Sequence, residues 1–522
     1  MNSTQAELFA RSFQSQVARN PGAALLTLPI LRELGVVAAV NEQCPSAHTV
    51  THGHITQLLV CNRLQAPRPL YKVGDWLEHT ALTAALQVTA EQAHDTRLGE
   101  TLEVLFPKHQ AVWQTVIQNA IQQYHLPLTW LHYDITSTYF EGCYTESDMV
   151  KFGYSRDQRS DSKQLNLGVN VTSSGLPLAF RVLVGNTADV TTPRENLTAV
   201  RSLLPKEQGT DITVVHDRGM ATVETLLWYD QQHQWFISPL TADAALQALL
   251  DAVPAAELRA APLDYLPQRA PANTAPGYAG VWREHTLTQS DQTVRVRVLV
   301  VYSQTKAKLD AEKRQAQLDQ LCQRLAAIQS HLNQRKYKRR AYAAEQIHLA
   351  QRGNAAKALV EVELQGEEGA LTLTFQVNAA RLAQARERDG RYPLLTNRWD
   401  LSATEVLQHF KQQDLSEKRF AIVKGPLQIH PLWLHKDERL VSLVLVVMLA
   451  LLVYCLLEHL VRQAQRYLTG RALLELFGDY TVVSVQFADG SQLWTFPKLT
   501  GMQTDVLERL HFPTPQLTLM LS

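Results

Sequence analysis

Between Leu440 and Leu457 the chain runs for eighteen residues without a single charge. Such a segment cannot be left in water, so it either crosses a bilayer or forms the central helix of a core large enough to surround it. Eighteen residues is the lower limit for a span, and no tight basic cluster flanks the run to set an orientation: Asp437, Glu438 and Arg439 precede it and Glu458 follows. The run therefore reads as a buried helix, and the protein as one without a membrane partner. A chain of 522 residues has room for such a core and for about two to four domains. Hydrophobic content of 45% against 19% charged residues excludes wholesale disorder. Five scattered cysteines with no Cys-x-x-Cys pair exclude a disulfide scaffold. The opening Met1-Asn-Ser-Thr-Gln-Ala-Glu7 has no basic region leading into an apolar stretch, so a cytoplasmic location is expected.

The texture changes along the chain. Residues 1–127 read as helices joined by short loops and predict an all-helical N-terminal domain. From residue 128 strand-like runs take over. Leu128 to Asp134 is a short apolar run ending in a carboxylate. Leu165 to Val171 and Leu178 to Val184 are joined by Ser173-Ser174-Gly175, a hairpin signal. A helix over Pro193 to Leu204, a buried strand over Ile212 to His216, a helix around Thr222 to Trp228 and a strand at Trp235 to Ser238 complete an α/β unit with a mixed sheet. The pattern is then interrupted over 241–398 by an Ala/Pro-rich passage (Ala260 to Ala275), strand-like Thr293 to Val301, a long charged helix and strand-like Leu371 to Val377. This block predicts an inserted mixed α/β domain, with the core resuming over 399–470 and a C-terminal region at 471–522.

Asp134 and Asp217 each follow an apolar strand-like run, where a carboxylate projects into the crevice at a sheet edge. Either alone is an ordinary turn or cap residue. Together, on adjacent strands, they bring like charges close, which a fold tolerates only with a cation or a shared proton. Oxygen donors without cysteine suit Mg²⁺ or Mn²⁺ rather than zinc. His132 shares a face with Asp134 and stays a candidate ligand, whereas alternation turns His216 away from Asp217 into packing. Glu417 supplies a third acid. Phe410, Glu417 and Lys424 recur every seven residues, which predicts one helix face that ends at Gly425-Pro426. Lys424 is two turns from Glu417, too far for an i,i+4 pair, so it is expected to be free for a phosphate.

These pieces resemble the DDE transposases of bacterial insertion sequences, in particular the insertion-sequence-four superfamily. The matching stretches are Tyr133-Asp-Ile-Thr-Ser-Thr-Tyr-Phe-Glu-Gly142, Gly153-Tyr-Ser-Arg-Asp-Gln-Arg-Ser-Asp-Ser-Lys-Gln164, Gly175-Leu-Pro-Leu178, Gly185-Asn-Thr-Ala-Asp189 and Val215-His-Asp-Arg-Gly-Met220. Asp389-Gly-Arg-Tyr-Pro-Leu-Leu-Thr-Asn397 and the Glu417 helix with Leu427-Gln-Ile-His-Pro431 follow in the family's order. Arg68-Pro-Leu-Tyr71 is similar to the helical domain that precedes the core in one branch. The resemblance implies a ribonuclease-H-like core interrupted by an insertion, with Asp134, Asp217 and Glu417 holding two divalent ions. It also implies double-stranded DNA as partner, both terminal inverted repeats and target, with a homodimer in the synaptic complex and attachment to the nucleoid when DNA is bound. The family's signature is Tyr, two residues, Arg, three residues, Glu, six residues, Lys; here those positions are Phe410, Gln413, Glu417 and Lys424. The hydroxyl and the cation of its first two members are missing, with Lys411 a possible substitute for the charge.

Fifty basic and fifty acidic residues give no net charge, which at face value argues against a nucleic-acid binder. The average hides a local surplus. Between Lys306 and Arg352 eleven Lys and Arg face four Asp and Glu, and Arg335, Lys336, Lys338, Arg339 and Arg340 form the densest part. This run is either a solvated face or a phosphate-contacting arm. Beside it Leu318, Leu321, Leu325, Ile328 and Leu332 alternate three and four apart, a seam expected to pack within its own domain. The expected function is metal-dependent DNA cleavage at element ends and strand transfer into target DNA. The alternatives are a ribonuclease-H-like nuclease or a decayed transposase, and a non-catalytic membrane-associated or DNA-binding protein.

Overall fold

The computed structural model describes residues 13–204, 211–267, 277–429, 434–488, 491–515 and 518–520. The opening seven residues, residues 268–275 of the Ala/Pro-rich passage and His430 and Pro431 of the Leu427 motif lie outside them. The chain divides into two compact units, one of residues 1–220 with 412–522 and one of residues 221–411.

The first unit begins with β1 (Phe13–Arg19) and continues with helices α1 (Ala24–Glu33), α2 (Val36–Gln43), α3 (His52–Gln65), α4 (Asp95–Leu105) and α5 (His109–Tyr124). Four strands follow: β2 (Trp130–Tyr139), β3 (Gln164–Thr172), β4 (Pro177–Val184) and β5 (Thr213–His216). β2, β3 and β4 are antiparallel, and β5 joins β2 in parallel, so the order within the unit is β4-β3-β2-β5. All nine residues of β3 are buried, which fits a central strand covered on both faces. The hairpin turn between β3 and β4 needs Gly175, whose φ of +83° a side chain would strain. α5 docks on β4 through Trp113, whose Nε1 donates to the Leu178 carbonyl at 3.0 Å and whose ring meets Phe180 edge-on at 5.0 Å.

The second unit holds β6 (Trp235–Ser238), a long hairpin of β7 (Tyr278–Gln289) and β8 (Gln292–Ser303), helices α6 (Gln304–His331) and α7 (Arg340–Gln351), the hairpin β9 (Val360–Gln365) and β10 (Thr372–Val377), then β11 (Arg391–Thr396) and α8 (Ala403–Lys411). β11 pairs with β6 and β8, and β8 with β7. The leucine seam of α6 packs as expected within its own unit: Leu318, Leu321, Leu325 and Ile328 are buried against Ile347, Val360 and Leu373.

The chain returns to the first unit with α9 (Asp414–Lys424), α10 (Asp437–Gln463), β12 (Val482–Phe487), β13 (Gln492–Thr495) and β14 (Thr518–Met520). β1 pairs with β12, which closes a four-stranded sheet from the two ends of the chain. α10 carries the uncharged run. Every residue from Leu440 to Leu457 is buried, in contact with α1, α3, α4, α5 and β4. A helix apolar all round is thus covered all round, as the hydrophobic effect requires in water.

Candidate functional site

The two aspartates meet through strand register. β2 and β5 run parallel with Leu131 opposite Val214, His132 opposite Val215 and Tyr133 opposite His216. Asp134 and Asp217 stand one step beyond that last pair. Neighbouring strands lie about 4.8 Å apart and residues in register share a face, so the two carboxylates are brought side by side. Asp134 sits in the middle of β2, not at its C-terminal end as the sequence suggested. Ile135 to Tyr139 continue the ladder with β3 out to Tyr139 opposite Gln164. Only the β5 pairing stops at the aspartates.

Asp134 is partly buried and accepts a hydrogen bond from the Ile135 N–H at 2.8 Å. Burial is the main force that pushes its carboxyl up to about 7. The Ile135 N–H and the Arg156 guanidinium pull it down, and the negative charges of Asp217 and Glu417 push it further up. Three carboxylates therefore share one electrostatic site. Asp217 is exposed, and its Oδ1 accepts from the Arg218 N–H at 2.7 Å. Glu417 is exposed on α9, a helix that packs on β2 and β3. Among the described residues no three His, Cys, Asp or Glu side chains stand close enough together to hold a metal ion as they are placed. His132 and His216 are both fully buried, and burial drives His216 down to about 4, so it is a neutral packing residue as expected.

The helix reading around Glu417 needs correcting. α8 ends at Lys411 and α9 starts at Asp414, so Phe410 does not share a helix face with Glu417 and Lys424. Phe410 lies beside Tyr392, and Lys411 sits over the Tyr278 and Tyr392 rings. Gln413, at the N-terminal cap of α9, takes a different job: its Nε2 donates to the Tyr133 carbonyl at 2.8 Å, hooking α9 to the strand one residue from Asp134. Lys424 is not free. Its Nζ pairs with Asp157 at 2.6 Å.

Sequence reasoning gave no role to Arg156, Asp157 or Asp189, although all three fall inside the quoted motifs. Arg156 Nη2 reaches both Asp189 oxygens, at 2.5 and 2.6 Å, and its backbone N–H donates to Ser137 Oγ on β2. Those two motifs meet backbone to backbone at Gly185, where a Cβ would fall 1.9 Å from the Gln164 carbonyl oxygen. The basic residues Arg335, Lys336, Lys338, Arg339 and Arg340 lie in the second unit, the first three on a 3₁₀ turn, Arg339 at the cap between turn and helix and Arg340 as the first residue of α7, and all are exposed. Arg340 is occupied, donating to the carbonyls of Gly366 and Leu364 at 2.7 and 2.9 Å.

A comparison with curated proteins finds no match. Among solved structures the chain is similar to the piggyBac transposase synaptic complex with hairpin DNA, at 7% identity over 87% of this chain and 78% of that one, with a TM-score of 0.40. It is also similar to the Mos1 transposase paired-end complex with left transposon end, at 13% identity over 38% of this chain and 60% of that one, with a TM-score of 0.16. Residues 26–117 match a domain of unknown function, DUF4277. Residues 131–453, running from β2 with Asp134 through α9 with Glu417 to the buried α10, match the transposase DDE domain. Because that match takes in all three carboxylates and more than half of the sequence, the chain belongs to the transposase DDE domain family.

Proposed function

We propose that this protein cuts DNA at the ends of a bacterial insertion sequence and joins the freed ends to target DNA, using Asp134, Asp217 and Glu417 to hold Mg²⁺ or Mn²⁺. The observation that carries this reading is the shared field of the three carboxylates, in which Asp217 and Glu417 both raise the pKa of Asp134. An oxygen-only set under mutual repulsion suits a hard divalent cation, which would relieve that repulsion. Two such ions, when bound, activate a water or a 3′-hydroxyl and stabilise the departing oxygen of an in-line phosphoryl transfer. The chain's own residues do the positioning. Gln413 and the buried face of α9 set Glu417 over β2, and Arg156 offsets part of the negative charge. Lys424 would have to leave Asp157 to hold a non-reacting phosphate, and Asp157 keeps it aligned until then. In this reading β2 to β5 and α9 belong to a ribonuclease-H-like core, and 241–398 is its insertion. The N-terminal helices would recognise element ends, with a homodimer bringing two ends together.

Incubation with Mg²⁺, labelled element ends and a supercoiled target tests this directly. Cleavage followed by joining is expected; cleavage without joining would make the protein a nuclease, the reading favoured by Gln413 and Phe410 at positions where the family signature has Arg and Tyr.

The exposed turn Arg335 to Arg339 is proposed to contact phosphate. Replacing Arg335, Lys336, Lys338 and Arg339 by glutamine should lower duplex affinity and flatten the slope of log affinity against log salt by about 0.9 for each phosphate left without its cation. Arg340 is left in place because it ties α7 to the β9–β10 hairpin. An unchanged salt slope means that the turn is only a solvated face.

A further inference from the structure

A cleft of about 510 Å³ in the first unit is walled in part by Arg63, Arg68, Tyr71, Gln428, Lys436 and Arg439. Gln428 lies just past the end of α9. Arg63 is the unusual member. It is only 6% exposed, and its guanidinium donates to two carbonyl oxygens, those of Gln428 at 3.2 Å and Arg68 at 3.1 Å. Its buried Nε has no acceptor. Burial pulls its pKa down to about 10, and no carboxylate acts to raise it. Arg419, the other buried arginine among the described residues of this unit, is paired with Glu458. A buried cation without an anion costs several kcal/mol, a cost that an incoming anion removes.

The rest of the wall fits a nucleotide. Among the described residues the wall carries Arg63, Arg68, Lys436 and Arg439 against Asp95, and Glu103 bridges Lys436 and Arg439 at 2.7 and 2.8 Å, so a surplus of about two positive charges remains. The loop that bears Arg68 is set in advance: buried Asn62 donates to the Ala66 carbonyl at 2.9 Å and accepts from the Arg68 N–H at 3.1 Å. Pro67 and Pro69 stiffen it further. At the rim Tyr71 is 66% exposed, with Lys72 Nζ over its ring at 5.6 Å from the centroid, so a further cation stands beside an accessible aromatic ring. The volume falls within the range of small-molecule sites, and an aromatic face beside cations is the arrangement that binds an unstacked base on its phosphate.

We propose that this cleft binds the phosphate of a nucleotide with an unpaired base, Arg63 and Arg68 on the phosphate and Tyr71 against the base, and thereby holds a single-stranded stretch of DNA just beyond the end of α9. The substrate class rests on the DNA-cutting function proposed above. A base in a duplex has both faces covered, so Tyr71 selects a strand opened at or near the cut.

The test uses fluorescence anisotropy of a short labelled single-stranded oligonucleotide with the full chain. Tyr71→Ala and Arg68→Gln alter exposed side chains and leave the fold intact. Tyr71→Ala should weaken binding about tenfold, and Arg68→Gln should lower the salt slope by about 0.7. Arg63→Met should weaken binding as well, yet raise the melting temperature of the DNA-free protein. Free deoxyadenosine monophosphate should compete only at far higher nucleotide concentration than the oligonucleotide; equal competition overturns the strand assignment. Unchanged affinity in both Tyr71→Ala and Arg68→Gln overturns the site itself. Mg²⁺-dependent cleavage of duplex ends, measured on the same preparations, separates the two readings. Cleavage by wild type with unaltered strand binding in the variants removes the cleft alone, and Tyr71-dependent binding without any cleavage removes the DNA-cutting function alone.

Discussion

Asp134→Asn is expected to lose Mg²⁺-dependent cleavage by about 10²–10³-fold or more, and at the same time to make the metal-free protein more stable near neutral pH. The two effects share one origin. Burial and the charges of Asp217 and Glu417 raise the Asp134 carboxyl from an ordinary 3.8 to about 7. A carboxyl raised in the folded state binds its proton more tightly there than in the unfolded chain. Its contribution to stability is complete below about pH 4 and is lost as pH rises to about 7. A gap of about three pKa units bounds the loss near ~4 kcal/mol, and the partial exposure of the side chain reduces it to about 1–2 kcal/mol.

Asparagine carries no such burden. In EDTA, wild type should therefore lose melting temperature relative to Asp134→Asn between about pH 4 and about pH 7, the window set by that shift. Mg²⁺ should restore wild type at about pH 7.5, because it binds the ionised carboxylates and not the unfolded chain, and should do much less for the variant. A melting temperature of wild type that does not respond to Mg²⁺, or a variant that cleaves normally, removes Asp134 from the metal set. Asp217→Asn and Glu417→Gln should abolish cleavage similarly, but with little gain in stability, since both side chains are exposed.

What was legible in the sequence depended on the range of the signal. The β3–β4 hairpin, β5 and β6 were readable because each is a compact apolar run with its own turn residues, and the α6 seam because its period is local. β2 was cut short at Asp134: the Thr-Ser-Thr that follows favours turns on composition, and only the pairing of Thr136, Ser137 and Thr138 with Leu167, Asn166 and Leu165 keeps it extended. β9 was missed because its inward residues alternate with Glu and Gln, β7 because Arg283, Glu284 and His285 break its apolar run, and β1 because the pairing that holds it lies on β12 at the far end of the sequence. At the site, three carboxylates were visible as acids placed after or within ordered elements. Their partners were not. Lys424 finds Asp157 across 267 residues and Gln413 finds Tyr133 across 280, distances at which spacing carries no information. The seven-residue recurrence of Phe410, Glu417 and Lys424 was real in the sequence and false in space, because a helix break at Gln412 and Gln413 leaves such a count unchanged.

Glu458→Ala should be among the most damaging single changes outside the carboxylates, costing about 3–5 kcal/mol. Glu458 lies on α10, 4% exposed, with Oε2 accepting from Arg419 Nη1 at 2.8 Å and Oε1 from the Gly470 N–H at 3.0 Å. Arg419 in turn donates Nε to the Gly175 carbonyl in the β3–β4 turn at 2.7 Å, and a Cβ at Gly175 would lie 2.5 Å from its Nη2. One buried ion pair thus fixes α9 to both α10 and the sheet, two residues from Glu417. Removing the acid strands a guanidinium in the core, whereas removing both charges need not. Arg419→Met with Glu458→Leu should recover most of the lost melting temperature, since apolar replacements of similar volume are often neutral. Cleavage should not recover with it, because α9 then loses its tie to the β3–β4 turn and is left with Gln413 as its bond to β2, and misplacing a catalytic group by about 1 Å can cost about 10²-fold. A double variant that is both stable and fully active would show that the pair supports the core and that Gln413 alone positions Glu417.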